Sequence, residues 1–177
     1  MNPRGHDILY GIHPVAEAMA ANRRRFEEIY VVNDKPGPRI QELMRQAKSL
    51  GLPLHQLSRE KLERLTGTDA HQGIAARTSA FPATDWTEML MAPSDPAIFL
   101  LLDSIVDPQN LGALIRTALC VGVKGVIIPK DRSAAPTPVV SKTSAGALEH
   151  MNLAQVVNLV SAMKDLKKIG GWIIGLD

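Results

Sequence analysis

Three polar side chains, Asp107, Asn110 and Arg116, follow a short apolar segment in the second half of the chain. The apolar segment, residues 97–102, is typical of a strand buried on both faces of a parallel sheet. Asp107 and Pro108 together predict the start of a helix, because aspartate caps helices and proline is tolerated at the first helical position. Asn110 would then lie in the first turn and Arg116 farther along the same helix. A strand that leads directly into a polar helix start is a candidate catalytic corner.

The helix that carries Arg116 is predicted from a regular apolar stripe. The stripe repeats at helical spacing and consists of Leu111, Leu114, Ile115, Ala118 and Leu119. Arg116 lies on the opposite flank, Gly122 is placed to end the helix in a left-handed conformation, and residues 126–128 form the next predicted strand. On this pattern alone, Asp107 could be only a cap and Arg116 only a solvated side chain.

Helices and short strands alternate along the first 79 residues, which predicts a small α/β domain at residues 1–79. The predicted helices cover residues 14–21, 38–50 and 59–65, and the predicted strands cover residues 28–32, 53–55 and 73–78. Residues 80–96 carry three prolines and lack a sustained strand pattern, so we predict a linker there. A second α/β unit, residues 97–177, includes a predicted helix at 159–168 and a predicted strand at 172–175.

The composition is that of an ordinary globular protein. With 177 residues, of which 45% are hydrophobic and 21% charged, the chain is neither fibrous nor disordered. The single cysteine, Cys120, excludes an internal disulfide framework and a multi-cysteine metal site, and we expect no metal. The sequence shows neither a signal-peptide core nor an apolar stretch long enough to span a membrane. We therefore expect a soluble, cytoplasmic protein with no membrane partner.

Basic residues are concentrated toward the amino terminus, although the formal net charge of the chain is only +2. Arg23, Arg24 and Arg25 form the tightest cluster and follow the first predicted helix. Three adjacent guanidinium groups could bind the phosphates of a nucleic acid. The alternative is a solvated helix end, where the helix dipole favours arginine.

The segment 103–150 resembles the first motif region of the SpoU (TrmH-like) RNA ribose 2'-O-methyltransferases of the SPOUT superfamily. The similarity runs almost without interruption through DPQNLGALIRTA, GVKGVIIPKDRSA and TPVVSKTSAGALEH. It implies that a methyl group is transferred from S-adenosyl-L-methionine to a ribose 2'-hydroxyl. The resemblance makes Arg116 the leading catalytic residue. It makes Asn110 either a ligand of the same ribose or a support for a catalytic side chain.

The resemblance also implies roles for residues around the corner. Glu149 is expected to orient an arginine, with an exposed helix-end carboxylate as the alternative. Ser144, in the similar segment SAGALEH, is expected to contact RNA. Lys130 and Arg132 are also expected to contact RNA, because they follow the carboxyl end of a predicted strand, where ligand sites of open α/β sheets lie. The arginine that matches Arg116 is often proposed as a general base in the family, but a guanidinium is normally only a donor. We therefore favour a role for Arg116 in binding the neighbouring phosphate or stabilising the developing alkoxide.

The amino-terminal region resembles the L30e-like RNA-binding domain of the SpoU enzymes that modify large-subunit ribosomal RNA. The similar segments are LYGIHPVAEAM near the start and HQGIAAR at residues 71–77. This resemblance implies that ribosomal RNA is the partner, that a guanosine of 23S rRNA in the peptidyl-transferase centre is the target, and that the protein is a homodimer. The two histidines in these segments, His13 and His71, are more simply interpreted as structural.

The chain departs from the family at its carboxyl end, because the family's second and third motifs would lie beyond Asp177. Those motifs form the trefoil knot that binds S-adenosylmethionine. The expected fold is therefore α/β, with an L30e-like domain followed by the first part of an α/β-knot domain. We expect no cofactor-binding residues in this chain and an inactive fragment. The alternatives are a non-catalytic RNA-binding module, or a resistance-type or tRNA-directed methyltransferase of the same family.

Overall fold

The computed structural model describes residues 5–91 and 97–176. These residues form two β-sheets with flanking helices, one sheet before Ala80 and one after Ile98. We call the two units the first and second domains. None of the helices in the described ranges has the length and apolar character that a membrane span requires.

The first sheet contains four strands in the order β1-β4-β2-β3. Its strand β4 runs antiparallel to both neighbours, and β2 and β3 are parallel to each other. In chain order the elements are β1 (His6–Tyr10), α1 (Ile12–Ala21), β2 (Phe26–Val32), α2 (Pro38–Ser49), β3 (Leu54–Leu57), α3 (Arg59–Thr66) and β4 (Ile74–Ser79). The predicted helices and strands are confirmed to within two residues at each end, whereas β1 was not predicted.

Helices cover both faces of the first sheet. α1 and α2 pack on one face, where Leu9, Ile29 and Ile74 are buried. α3 packs on the other face, where its Leu62 is buried in a separate cluster. This arrangement confirms the small α/β domain that the alternating pattern predicts. The structural interpretation of His71 is also confirmed, because the side chain is fully buried and its Nδ1 accepts a hydrogen bond from the Gly73 N–H.

The second sheet contains three parallel strands in the order β5-β6-β7. The elements of this domain are α4 (Trp86–Met91), β5 (Phe99–Leu101), α5 (Pro108–Cys120), β6 (Gly125–Pro129), α6 (Pro138–Thr143), a 3₁₀ turn (Ala147–His150), β7 (Leu153–Val156) and α7 (Leu159–Lys168). The predictions for α5, β6 and α7 are confirmed. α6, the 3₁₀ turn and β7 were not predicted.

Two expectations about strands are wrong. The segment 97–102 was expected to be buried on both faces, but β5 is only half-buried because β6 is its sole strand partner among the described residues. Fully buried apolar residues lie instead in the central strand β6 and in β7, among them Ile127 and Ala154. The strand expected at 172–175 is absent from the described structure, and Trp172 and Ile174 are 95% and 85% exposed.

The predicted linker contains the short helix α4. Met89 of this helix is buried in a cluster with Ile127, Ala154 and Ala162 of the second domain. Residues 92–96, which include two of the prolines used to predict the linker, lie outside the described residues. The domain bounds 1–79, 80–96 and 97–177 therefore stay a prediction.

The two domains are in direct contact. α1 packs against the 3₁₀ turn, and α6 packs against β1. At Gly146, whose φ is 89°, a Cβ atom would lie 2.6 Å from Glu17 Cγ of the first domain. Nε2 of His150 lies 2.8 Å from a carboxylate oxygen of Glu17. Close packing and polar contacts thus fix how the domains sit against each other.

Candidate catalytic corner and domain junction

The start of α5 has the geometry that the sequence predicts. The Asp107 carboxylate accepts a hydrogen bond of 2.9 Å from the Gln109 N–H, and Pro108 occupies the first helical turn. Leu111 and Ile115 are fully buried on the inner face of the helix. Because the opposite face is free of packing, the first turn of α5 is presented to solvent.

Asn110 and Arg116 are both exposed on α5. No described residue forms a hydrogen bond or an ion pair with the Arg116 guanidinium. A guanidinium offers five N–H donors in a planar fork that matches phosphate and carboxylate oxygens. The corner therefore presents an unpaired cation and an amide to a ligand from solvent.

A close contact between α5 and α6 holds the corner in place. The Thr143 hydroxyl of α6 donates a 3.0 Å hydrogen bond to the Pro108 carbonyl in the first turn of α5. Gly112 lies against the same threonine, since a Cβ built at Gly112 would be 2.0 Å from Thr143 Oγ1 and 2.9 Å from the Ser144 backbone nitrogen. The absence of a side chain at Gly112 is what allows the two helices to approach.

Glu149 is paired with an arginine of the first domain, Arg24. Its carboxylate is 1% exposed and receives hydrogen bonds from Arg24 Nε at 2.7 Å and Arg24 Nη2 at 3.1 Å. The Ser141 hydroxyl donates a third bond at 2.7 Å. The alternative of an exposed helix-end carboxylate is wrong. A direct catalytic role for Glu149 is also contradicted, because a buried carboxylate with three donors cannot reach a substrate.

Arg24 is not a phosphate-binding residue, contrary to the sequence-based expectation. It is 3% exposed, and its Nη1 donates to Asp7 Oδ2 at 2.6 Å and to the Ser79 carbonyl at 3.1 Å. The guanidinium also lies 5.4 Å from the centre of the Phe81 ring. The turn between α1 and β2 is pressed against the second domain, so Arg24 is buried at the junction and fully paired.

The neighbouring arginines differ from Arg24 and from each other. Arg23 is half-buried at the junction and donates to the Met151 carbonyl at 2.8 Å. Burial, more than the nearby charge of Arg24, lowers the pKa of Arg23, and Glu149 opposes this shift. Arg25 is 74% exposed at its side chain and pairs with Glu27 at 3.1 Å. The three arginines therefore do not form one phosphate-binding cluster, because Arg24 is buried, Arg23 is half-buried and only Arg25 is fully exposed.

Ser144 is also misplaced among the expected RNA contacts. It is 1% exposed, and its hydroxyl donates to the Ser141 carbonyl at 3.1 Å and accepts from the Leu148 N–H at 3.2 Å. These bonds hold the end of α6 to the 3₁₀ turn. Lys130 and Arg132 are exposed just beyond the carboxyl end of β6, and their role in RNA binding stays a prediction.

Family models match both domains. Residues 8–83 match the substrate-binding domain of the RNA 2'-O ribose methyltransferases, and residues 97–177 match the SpoU rRNA methylase family.

Among solved structures, an RNA 2'-O ribose methyltransferase superimposes with a TM-score of 0.76 at 19% identity, over 94% of this chain and 61% of that chain. The SpoU methyltransferase AviRb of Streptomyces viridochromogenes, in complex with its cofactor AdoMet, gives a TM-score of 0.74 at 18% identity, over 94% of this chain and 60% of that chain. The fold is thus that of the SpoU methyltransferases.

Curated relatives are more similar in sequence. The 23S rRNA (guanosine-2'-O-)-methyltransferase RlmB of Shewanella oneidensis is 39% identical over 171 residues, which cover 96% of this chain and 70% of the relative. The putative TrmH family tRNA/rRNA methyltransferase YacO of Bacillus subtilis is 33% identical over 175 residues, which cover 97% of this chain and 70% of the relative. The chain therefore belongs to the SpoU family of RNA 2'-O-ribose methyltransferases, which use S-adenosyl-L-methionine as the methyl donor.

Proposed function

We propose that this protein takes part in methylating the ribose 2'-hydroxyl of a guanosine in 23S rRNA, within the peptidyl-transferase centre. The observation that carries the proposal is the exposed flank of α5, which presents Asn110 in its first turn and Arg116 in its third, in the segment that matches the methylase family. Several relatives of 35–39% identity are named 23S rRNA (guanosine-2'-O-)-methyltransferases. The L30e-like nature of the first domain, a homodimer and a cytoplasmic location belong to the same proposal.

The chain's own residues would act by positioning and electrostatics. A neutral ribose hydroxyl is a weak nucleophile, so a site must orient it and stabilise the oxygen as its proton is lost. Asn110 can hydrogen-bond the ribose through its amide. Arg116 can bind the adjacent phosphate with two parallel N–H groups or stabilise the developing alkoxide. S-adenosylmethionine supplies an electrophilic methyl group when it is bound.

The described residues do not complete a pocket for S-adenosylmethionine. Ligand sites in parallel α/β sheets lie at the carboxyl ends of the strands, and such sites enclose most of the ligand surface. At this edge of the second sheet, Val157 after β7 is 80% exposed. We propose that the second domain has the first part of an α/β-knot and that residues outside this chain close the methyl-donor site.

Calorimetry tests this part of the proposal. Titration of S-adenosylmethionine into the 177-residue chain is expected to give no saturable heat, because the carboxyl edge of the second sheet is open to water at Val157. Binding of a 23S rRNA fragment to the same sample serves as the control for a folded protein. Saturable binding of one S-adenosylmethionine per chain would contradict the proposal.

Substitution of Arg116 tests the corner itself. Arg116→Ala removes one phosphate contact, so the slope of log binding constant against log salt concentration for the 23S rRNA fragment should fall by about one. Arg116→Lys should keep the slope but should not restore full affinity, because an ammonium cannot make the bidentate contact. Fluorescence anisotropy with a labelled fragment at several salt concentrations measures both quantities.

A matched control and a competitor sharpen this result. Arg45→Gln removes an exposed arginine that is ion-paired with Glu42, and it should leave the salt slope unchanged. Full affinity of Arg116→Lys would rule out a bidentate guanidinium role. A tRNA that competes as well as the 23S rRNA fragment would instead favour the tRNA-directed alternative, which the name of the Bacillus subtilis relative suggests.

A further inference from the structure

The two domains bring two cationic side chains, Lys142 and Arg39, to one exposed polar surface at their junction. Lys142 of α6 reaches across to the first domain, where its Nζ donates a 2.8 Å hydrogen bond to Gln72 Oε1. The same oxygen accepts a 3.1 Å bond from the N–H of Ile12, at the start of α1. Next to Ile12, His13 Nε2 lies 3.3 Å from Arg39 Nη1 of α2. A continuous polar surface therefore runs from α6 over the start of α1 to α2.

The first domain is shaped to receive Lys142. Gly11 has a φ of 95°, and a Cβ atom at this position would lie 2.6 Å from Lys142 Nζ. Any side chain at Gly11 would therefore displace the ammonium from Gln72. Burial against this surface lowers the pKa of Lys142. The lysine is thus a built-in part of the junction and not a freely moving surface residue.

The positive charge at this surface is not neutralised. In the described ranges, no acidic side chain forms an ion pair with Lys142, Arg39 or His13. An ammonium has three donors, and the only described acceptor for Lys142 is Gln72 Oε1. Partly desolvated donors of this kind bind anions more strongly than fully hydrated ones.

The position of the surface points to RNA as the source of the anion. Thr143, the residue after Lys142, is the one that holds the first turn of α5 through the Pro108 carbonyl. A phosphate bound at Lys142 would therefore be held by the same helix, α6, that holds the first turn of α5. A strand of RNA held at the junction could then continue to the exposed corner of α5.

We propose that Lys142, Arg39, His13 and the Gln72 amide form a phosphodiester-binding site that spans the two domains and holds the rRNA backbone. The site rests on the proposed rRNA substrate and deepens it, because it places a residue of the methylase domain in the surface of the substrate-binding domain. It exists only when the domains are docked, so RNA bound there also stabilises the docked arrangement.

Salt-dependent binding of the 23S rRNA fragment to the full chain tests the site. Arg39→Gln and Lys142→Met should each weaken binding by about tenfold, as expected for the loss of one charged hydrogen bond. Each should lower the salt slope by about one, and the double variant by about two. Lys168→Gln on α7 is the matched control and should change neither quantity, since Lys168 already pairs with Asp165 at 2.9 Å. Inorganic phosphate at millimolar concentration should compete only weakly, because it fills one position of an extended backbone.

Each outcome bears on the proposal. A Lys142→Met variant that binds more weakly with an unchanged salt slope would show that Lys142 only holds the domains together, and this result would overturn the site. Unchanged binding by Arg39→Gln, an exposed residue whose loss cannot unfold the domain, would also overturn it. If the unmodified chain binds the rRNA fragment but neither variant differs from it, the site fails while the proposed function stands. If the unmodified chain does not bind the fragment, both fail.

Discussion

Replacing Arg24 by alanine is expected to lower the free energy of unfolding by about 3–5 kcal/mol. The change leaves the Glu149 carboxylate buried without its cationic partner, and it removes the partner of Asp7. Breaking a buried pair costs far more than the pair contributes, because the remaining charge has lost its water and gains nothing in return. Guanidinium denaturation followed by tryptophan fluorescence measures the effect.

The neighbouring arginine provides the control for this prediction. Arg25→Ala also removes an ion pair, but the Arg25 side chain is 74% exposed, so the expected loss is at most about 1 kcal/mol. Arg24→Lys should fall between the two, since an ammonium keeps the charge but cannot bond both carboxylate oxygens of Glu149 at once. Equal losses for Arg24→Ala and Arg25→Ala would contradict the role of Arg24 at the junction.

A double substitution separates the value of the pair from the cost of breaking it. Arg24→Met combined with Glu149→Leu removes both charges and keeps apolar volume, so it should be less destabilising than the sum of the single changes. The remaining loss would come from Asp7 and Ser141, whose partners are also removed. A double variant that is less destabilised than the sum of the single variants would show that the Arg24–Glu149 pair adds little net stability. Its main effect would then be to specify how the two domains dock.

The contrast between Arg24 and Arg25 shows what a sequence can and cannot predict. The helix end before the arginines was predicted well, because the pattern of apolar residues is local. The burial of Arg24 was not predicted, because it depends on the contact with Glu149, which is 125 residues away in the chain. A run of three arginines looks the same in sequence whether it faces solvent or a second domain.

The start of α5 was predicted more completely than α6, the helix that packs against it. The cap at Asp107, the buried stripe and the exposed flank that carries Arg116 all follow from spacing within one helix. α6 escaped prediction because six residues are too few to show a helical repeat. Ser144 was placed among RNA contacts on the family resemblance of its segment, although it caps that short helix and is buried.

Gly112→Ala is expected to destabilise the protein by about 1–3 kcal/mol, although helix propensity alone favours the change by about 1 kcal/mol. The added Cβ would lie 2.0 Å from Thr143 Oγ1, a contact that rotation of the threonine side chain about χ1 could relieve. It would also lie 2.9 Å from the Ser144 backbone nitrogen, which cannot move without separating α6 from α5. Separation would break the bond from Thr143 to the Pro108 carbonyl and loosen the first turn that carries Asn110.

Whether Gly112→Ala stabilises or destabilises the protein shows whether helix propensity or packing against α6 has the larger effect at this position. Ala113 is the next residue of α5 and is exposed, so Ala113→Gly measures the effect of helix propensity without a change in packing. It should lower the free energy of unfolding by about 1 kcal/mol. If propensity also governs Gly112, Gly112→Ala should stabilise the helix by a similar amount in thermal denaturation. If packing governs, it should destabilise the protein, and Thr143→Ala should not rescue it, because the clash with the Ser144 nitrogen remains. Rescue by Thr143→Ala would mean that the threonine hydroxyl, and not the backbone of α6, sets the distance between the two helices.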